Sequence, residues 1–398
     1  MTSTFWRTAL VLGLLSAVGP FAIDMYLPAM PAIEADLQAS VMAVQNTLIL
    51  YFLAFGVSQL VYGPIADRYG RKPPLIAGLV IFIIGAVLAA LAPDAGWLTA
   101  ARFVQGLGAA AVMVVPRAII RDQMTGTDAA RMMAAIMMVI SVSPMLAPLA
   151  GAGLLAIGDW RLIFWALALA GVASLAVTIV FQPETLRPQD RRPISLTEMR
   201  RGAGVLFGDP VFMGLTLLGA FGFASFFVFI ASASFVYTSQ FGLTPTQFGL
   251  AFAANAIGFF AASQFAAPLG IRFGMGRVMQ LAAIGFAAAA LLLLALALAG
   301  LATLPVIILS LVAANAFLGL IIPSAMVMAL DDHGDVAGLA SSLGGTLQMV
   351  IGGAVTVAAG PFFDGTALPM IAAIAACAVV TLGLALWVRP RILGAAAA

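Results

Sequence analysis

Two charges stand in this chain where charges cost most. Asp24 lies inside an apolar run over residues 5–28, and Arg102 lies five residues into another over 98–120. A charged side chain at membrane depth costs about 2.5 kcal/mol or more unless it meets water or a partner, so each is a functional candidate. Asp24 stands about seven residues before an expected helix end near Pro31. At ~1.5 Å per residue that is roughly 10 Å below a membrane surface. Arg102 is expected about 7–8 Å deep by the same rise, on the same side. Equal depth would let the two groups pair. Taking a carboxylate out of water disfavours its charged form, which suits a group that binds and releases a proton. The expectation is that protonating Asp24 weakens its pairing with Arg102, directly or through water, and so biases a conformational equilibrium.

A third cluster is Gly63-Pro64-Ile65-Ala66-Asp67-Arg68-Tyr69-Gly70-Arg71-Lys72. Only 9% of the chain is charged, yet four charges fall within six residues here. Such a loop must sit in water between two apolar segments. Anchoring on the cytoplasmic side accounts for Arg68, Arg71 and Lys72, but not for Asp67 or the glycines. Tyr51, Phe223, Phe226, Phe227, Asn255 and Asn315 are the candidates for binding a ligand. Aromatic rings with a few amides suit apolar molecules carrying scattered polar groups, and the same residues serve equally well for packing or lipid contact. Met132, Met133, Met137 and Met138 form a similar flexible cluster. His333, the only histidine, follows Asp331 and Asp332 and reads as a solvated loop residue.

The elements that must position these groups are legible from hydropathy. The chain has 398 residues and is 63% hydrophobic, and its apolar runs repeatedly reach the roughly 20 residues that cross a bilayer. We expect twelve helical spans near 5–28, 42–66, 74–92, 98–120, 132–156, 160–181, 210–237, 246–269, 277–298, 303–330, 337–360 and 366–388. Helices satisfy their own backbone in lipid, and the alternating segments of about 10 residues that mark a β-barrel are missing. Arg7 before an apolar run mimics a signal peptide, but the run lacks a small-residue cleavage pattern and reads as a retained first span. With the N-terminus inside, 16 of the 18 basic residues fall on the cytoplasmic side and only Arg102 and Arg161 fall elsewhere. Both termini are therefore expected in the cytoplasm.

Residues 182–209 form the one long polar stretch, and they lie at mid-chain. The expected organisation is a six-helix half over 1–181, a cytoplasmic linker over 182–209 and a second six-helix half over 210–398. Ser195-Leu196-Thr197-Glu198 fits a capping box, so a short surface helix should follow it. A faint repeat supports two like halves. Pro64, Arg68, Tyr69 and Gly70 recur as Pro268, Arg272, Phe273 and Gly274, each shifted by 204 residues. Paired repeats place a ligand site between the halves near the membrane midplane.

Several of these motifs resemble those of one family. The loop G-x-x-x-D-R-x-G-R-K at 63–72 resembles the signature between the second and third spans of the major facilitator superfamily. The run from Arg102 to Ala110 resembles its fourth-span motif in proton-linked members. Ala147-Pro148-Leu149-Ala150-Gly151-Ala152 resembles the fifth-span antiporter motif, with alanine for two of its glycines; Pro144, Pro148 and Gly151 carry the likeness. Asp24-Met25-Tyr26-Leu27-Pro28-Ala29-Met30-Pro31 is similar to the bicyclomycin/chloramphenicol-resistance (Bcr/CflA) group of drug:proton antiporters. So are Asp159-Trp160-Arg161-Leu162-Ile163-Phe164 and Ala337-Gly338-Leu339-Ala340-Ser341-Ser342-Leu343. The resemblance implies an all-α major facilitator fold and export of small hydrophobic drugs in exchange for protons across a bacterial inner membrane. It also implies a conformational latch of Gly63, Asp67, Arg68, Gly70, Arg71 and Asp122. Asp67 would then approach the start of the eleventh span near Val336, a favourable place for an anion.

Other classes fit poorly. A net charge of +2 gives no footprint for nucleic acid. Lys72 is the only lysine and lacks the Gly-Lys-Ser/Thr setting of a phosphate loop. No Cys/His cluster suggests a metal, no cofactor is implied, and no nucleophile–base pair points to an enzyme. The single Cys377 precludes an internal disulfide. The expected partners are a small-molecule drug, protons and the lipid bilayer, with the chain acting as a monomer. Export of an endogenous metabolite such as an amino acid or sugar, uptake by symport, and a non-transporting membrane receptor stand as alternatives.

Overall fold

The structure, a computed structural model, describes residues 3–124, 126–191, 193–333 and 336–395. Among the described residues it is helical throughout, and twelve helices are long and apolar enough to cross a membrane. In the first half they run Val11–Asp36, Val41–Tyr69, Lys72–Ala90, Ala95–Gln123, Arg131–Ile157 and Arg161–Phe181. In the second half they run Pro210–Gln240, Pro245–Phe273, Met275–Leu298, Leu304–Asp331, Ala337–Phe362 and Ala367–Arg389. Packing divides the chain into Met1–Ser195 and Leu196–Ala398. The division falls inside the polar stretch 182–209, and a helix Leu196–Gly208 belongs to the second unit.

The first span departs from expectation. It does not end near Pro31 but continues to Asp36, interrupted at Asp24. A helix Ser3–Asp24 gives way to a turn, a 3₁₀ segment Leu27–Ala29 and a helix Met30–Asp36. Pro28 and Pro31 sit in the first positions of these segments. There a missing N–H costs nothing, so the prolines begin helices instead of ending one. Asp24 thus lies at a break within the span and deeper than a helix end near Pro31 would place it.

Within each unit the spans pack in the same pattern. The fourth contacts the second and third, the sixth contacts the third, and the first contacts the fourth, fifth and sixth. The tenth contacts the eighth and ninth, the twelfth contacts the ninth, and the seventh contacts the tenth, eleventh and twelfth. The internal repeat is visible at two helix ends. The second span stops at Gly70 with φ 98° and the eighth at Gly274 with φ 85°. This left-handed region is open to glycine at no steric cost. Pro64 and Pro268 lie inside the two helices, and Arg68 and Arg272 each cover the following ring, Tyr69 and Phe273, at 5.3 and 5.1 Å.

Close packing in the first unit depends on small residues of the fourth span. A Cβ at Gly106 would stand 2.5 Å from the Tyr51 carbonyl oxygen of the second span. One at Gly108 would stand 2.3 Å from the Phe82 nitrogen of the third. Lipid offers no hydrophobic drive for helix association, so this contact between backbones carries much of the cohesion.

Candidate functional site

The break in the first span gathers the proposed chemistry. Asp24 is buried, and none of the described residues forms a hydrogen bond or ion pair with its carboxylate. Arg102 is fully buried and reaches the same break. The expected direct Asp24–Arg102 pair does not form. Instead Arg102 Nη1 donates to Gln105 Oε1 at 2.6 Å and to the Ala22 carbonyl at 3.1 Å. Its guanidinium lies over the rings of Tyr51, Tyr26 and Phe164 at 4.2, 4.9 and 5.9 Å. The helix break leaves carbonyls near Asp24 without the usual partner, and a cation is favoured at such a C-terminal end. Aromatic faces supply the rest of the stabilisation, worth about 2 kcal/mol for a desolvated contact. Arg102 Nε and Nη2 and Gln105 Nε2 remain buried without an acceptor.

Tyr51 and Tyr26 are fixed by their hydroxyls. Tyr51 donates to the Gly19 carbonyl at 3.2 Å. Thr47 donates to the Val44 carbonyl at 2.7 Å, so the 2.6 Å contact between Tyr26 and Thr47 has the phenol as donor. Tyr51, expected in a drug pocket, is fully buried against Arg102 and belongs to the charge cluster. On the other side of the break lies the fifth span. A Cβ at Gly151 would stand 2.2 Å from the Met25 carbonyl oxygen and 3.1 Å from Pro28. Pro144 and Pro148 lie inside the continuous helix Gly126–Ile157.

The charged loop forms a compact knot within the first unit. Arg71 is buried and binds Asp122 through both Nε and Nη2, at 2.7 and 3.1 Å. Its Nη1 donates to Asp67, one turn earlier on the second span. Thr185 adds a 3.0 Å bond to Asp122. Glu184 completes the knot and was not foreseen. Its carboxylate accepts from the backbone N–H groups of Arg71, Thr185, Leu186 and Lys72, at 2.8, 2.9, 3.0 and 3.1 Å. Partial burial acts to raise this carboxyl, but the N–H bonds from Arg71, Leu186, Lys72 and Thr185 outweigh it and hold it below the usual glutamate range. Gly70 makes room, because a Cβ there would stand 2.4 Å from a Glu184 oxygen. Lys72 Nζ donates to the Ile179 carbonyl at 2.8 Å, near the end of the sixth span. Gly63 has open space around it, and Arg68 covers Tyr69 outside the knot.

In the second unit Phe223 meets Phe227 and Phe226 at 5.1 and 5.9 Å, and Phe226 stacks on Phe259 at 6.5 Å. Phe227 is buried against Gly352, whereas Phe223 and Phe226 are half-buried. Asn315 donates to Asn255 Oδ1 at 3.2 Å, and Asn255 donates to the Ala251 carbonyl at 3.1 Å. One turn beyond the amides, the Phe259 carbonyl approaches Gly319 closely. The amide pair and the Phe226–Phe259 stack therefore occupy adjacent turns of the eighth span. Met132 is buried while Met138 is largely exposed, so the methionines form no single surface. His333 is not a solvated loop residue. It is 9% exposed, with Nε2 at 3.2 Å from Asp209, Nδ1 at 3.2 Å from the Ala329 carbonyl and its ring 5.2 Å from Phe212. The end of the tenth span thus packs His333 against the start of the seventh, which a lone histidine in the sequence does not reveal.

The sequence profile of the Major Facilitator Superfamily matches residues 12–244, more than half of the chain. The chain belongs to this superfamily. It is 32% identical over 376 residues to the uncharacterized MFS-type transporter YdgK of Bacillus subtilis, covering 94% of this chain and 92% of that one. It is 31% identical over 376 residues to a bicyclomycin resistance protein homolog of Haemophilus influenzae, covering 94% and 93%. Multidrug resistance protein MdtL of Escherichia coli is 37% identical over 166 residues, 42% of each chain. Among solved structures, the D-xylose-proton symporter superposes with a TM-score of 0.76 at 16% identity over 97% of both chains. The human organic anion transporter MFSD10 superposes at 0.68 with 19% identity, over 97% of this chain and 100% of that one. These two share the fold. The protein is thus a multi-pass major facilitator transporter with relatives named for drug resistance.

Proposed function

We propose that this facilitator exports small hydrophobic antibiotics, of the chloramphenicol, florfenicol or bicyclomycin kind, in exchange for protons across a bacterial inner membrane. Both termini lie in the cytoplasm and the monomer is the working unit. The observation that carries the proposal is the convergence at residues 22–25. The Arg102 guanidinium binds the Ala22 carbonyl, Asp24 ends the helix, and Gly151 of the antiporter-like motif abuts the Met25 carbonyl. A proton site, a fixed cation and the contact between the first and fifth spans meet at one helix break. The names of the Haemophilus influenzae and Escherichia coli relatives support the drug class.

The unpaired arrangement suits a protonated Asp24, whose charge is absent and whose cationic neighbour is held by rings and amides. Loss of the proton creates a buried anion at the same break that Arg102 reaches through the Ala22 carbonyl, and three buried N–H groups of Arg102 and Gln105 there lack acceptors. Their attraction would draw the break toward Arg102 and Gln105 and shift the first span against Gly151. Protonation reverses the pull, which gives each proton a differential interaction with two states, the requirement for coupling. The latch residues Asp67, Arg71, Asp122 and Glu184 tie the second, third, fourth and sixth spans at the opposite end and favour one state. Phe223 and Phe226 offer aromatic surface and Asn255 and Asn315 offer polar contacts to the drug.

Inverted vesicles made acidic inside test this reading. Adding chloramphenicol, florfenicol or bicyclomycin should release lumenal protons with the native chain and not with Asp24→Asn. A response confined to amino acids or sugars would move the substrate to metabolites, and full drug response in Asp24→Asn would overturn the role of Asp24.

A further inference from the structure

We propose that the helix Leu196–Gly208 is a docking surface for anionic phospholipid headgroups of the cytoplasmic leaflet. One of its faces is already taken. Leu206 is fully buried, and Gly202 lies so close to the eleventh span that a Cβ would stand 2.7 Å from Leu339. The remainder is open and segregated along the axis. Val205 and Phe207, at the C-terminal end, are 55% and 53% exposed. Arg200 and Arg201, in the N-terminal part, are exposed, and no hydrogen bond or ion pair among the described residues engages their guanidinium groups.

The chain fixes which end meets the bilayer. Asp209 alone separates this helix from the seventh span, where its carboxylate caps Val211 at 2.7 Å. The end bearing Val205 and Phe207 is therefore tethered at the membrane boundary. Arg201 precedes Val205 by four residues, a rise of about 6 Å. One turn apart, the two side chains share one side of the helix. Exposed apolar side chains and unpaired arginines on one short helix are the composition of a helix lying in the interface of an acidic membrane. A zwitterionic headgroup would offer the arginines no net charge. Each arginine near an anionic surface contributes about 1 kcal/mol, a factor of about five in local lipid preference. The partner is thus phosphatidylglycerol or another acidic phospholipid, held by the two arginines and by the apolar end of the helix.

The test places a reporter on the open face and does not depend on transport. A Cβ at Gly204 meets nothing within 4 Å, and Cys377 is buried, so Gly204→Cys can carry the fluorophore NBD. The labelled full chain is reconstituted into phosphatidylcholine vesicles containing equal fractions of nitroxide-labelled phosphatidylglycerol or nitroxide-labelled phosphatidylcholine. Quenching should be stronger with the glycerol lipid. The preference should fall about fivefold for Arg200→Gln or Arg201→Gln alone and vanish when both are replaced. Equal quenching by both lipids with native arginines would overturn the proposal. So would absence of quenching by either lipid, which would mean that protein or water covers this face. Arg187→Gln in the preceding loop serves as a charge-matched control, and a loss of preference there equal to that of Arg200→Gln would also overturn it.

Discussion

The cation at the first-span break is kept in the membrane by rings and amides, without a carboxylate of its own. That difference explains what sequence could and could not show here. Asp24 and Arg102 were legible as charges in apolar runs, whereas Tyr51 was read as a ligand-binding residue and proved to pack on the Arg102 guanidinium. How the two charges pair was not legible, because electrostatic complementarity suggests a salt bridge while the backbone break supplies carbonyls that only a structure reveals. Glu184 was silent for a different reason: it lies 113 residues from the Arg71 N–H that it accepts. Its role gives a prediction with a definite sign. The folded carboxyl titrates below an ordinary glutamate. Its contribution is therefore complete above about pH 4.3 and is lost as pH falls through the lower folded value. Glu184→Gln should lower the melting temperature of the purified protein by a constant amount between about pH 5 and 8, and the difference should close below about pH 4. The side chain is largely exposed, so the effect should be of order 1 kcal/mol. A difference that grew on acidification would contradict the assignment.

The spans were legible as elements because a run of about 20 apolar residues has no other stable fate in a bilayer. The first was misjudged at its outer end, where Pro28 and Pro31 begin new segments and do not close the helix. What sequence conveys poorly is which small residues touch a neighbour. Gly151 and Gly153 look alike in the chain, yet only Gly151 faces a backbone. A Cβ at Gly151 would meet the Met25 carbonyl at 2.2 Å, whereas one at Gly153 would meet nothing within 4 Å. Gly151→Ala should therefore push the fifth span from the break and cost about 1–3 kcal/mol, as overpacking does. Gly153→Ala should stay within about 0.5 kcal/mol of the native chain. Thermal unfolding in detergent checks the energies. Drug-driven proton release should fall in Gly151→Ala alone, since the same contact carries the proposed coupling. Equal losses in both variants would remove the fifth-span contact from the mechanism.

At the scale of the whole molecule, the proposed coupling fixes how transport responds to membrane potential. Asp24 is the one acid at membrane depth in the first half, so one proton per cycle is the natural stoichiometry. One proton entering while a neutral drug leaves carries a single positive charge inward. With the cell interior negative, that step gains about 2.3 kcal/mol per 100 mV. Exchange of one proton for a dication carries a net positive charge outward and loses the same amount. The two substrate classes must therefore respond oppositely when potential is removed and the pH gradient is kept. In proteoliposomes with a fixed pH gradient, collapsing the potential with valinomycin and balanced potassium should slow export of neutral chloramphenicol. The expected loss approaches the roughly 50-fold in driving force that 2.3 kcal/mol represents, with the rate falling by some fraction of it. Any dicationic export present should speed up. Insensitivity of neutral-drug export to potential would mean that no net charge crosses in the cycle. A single proton at Asp24 would then not be the coupling ion, even if the fold and the drug class stood.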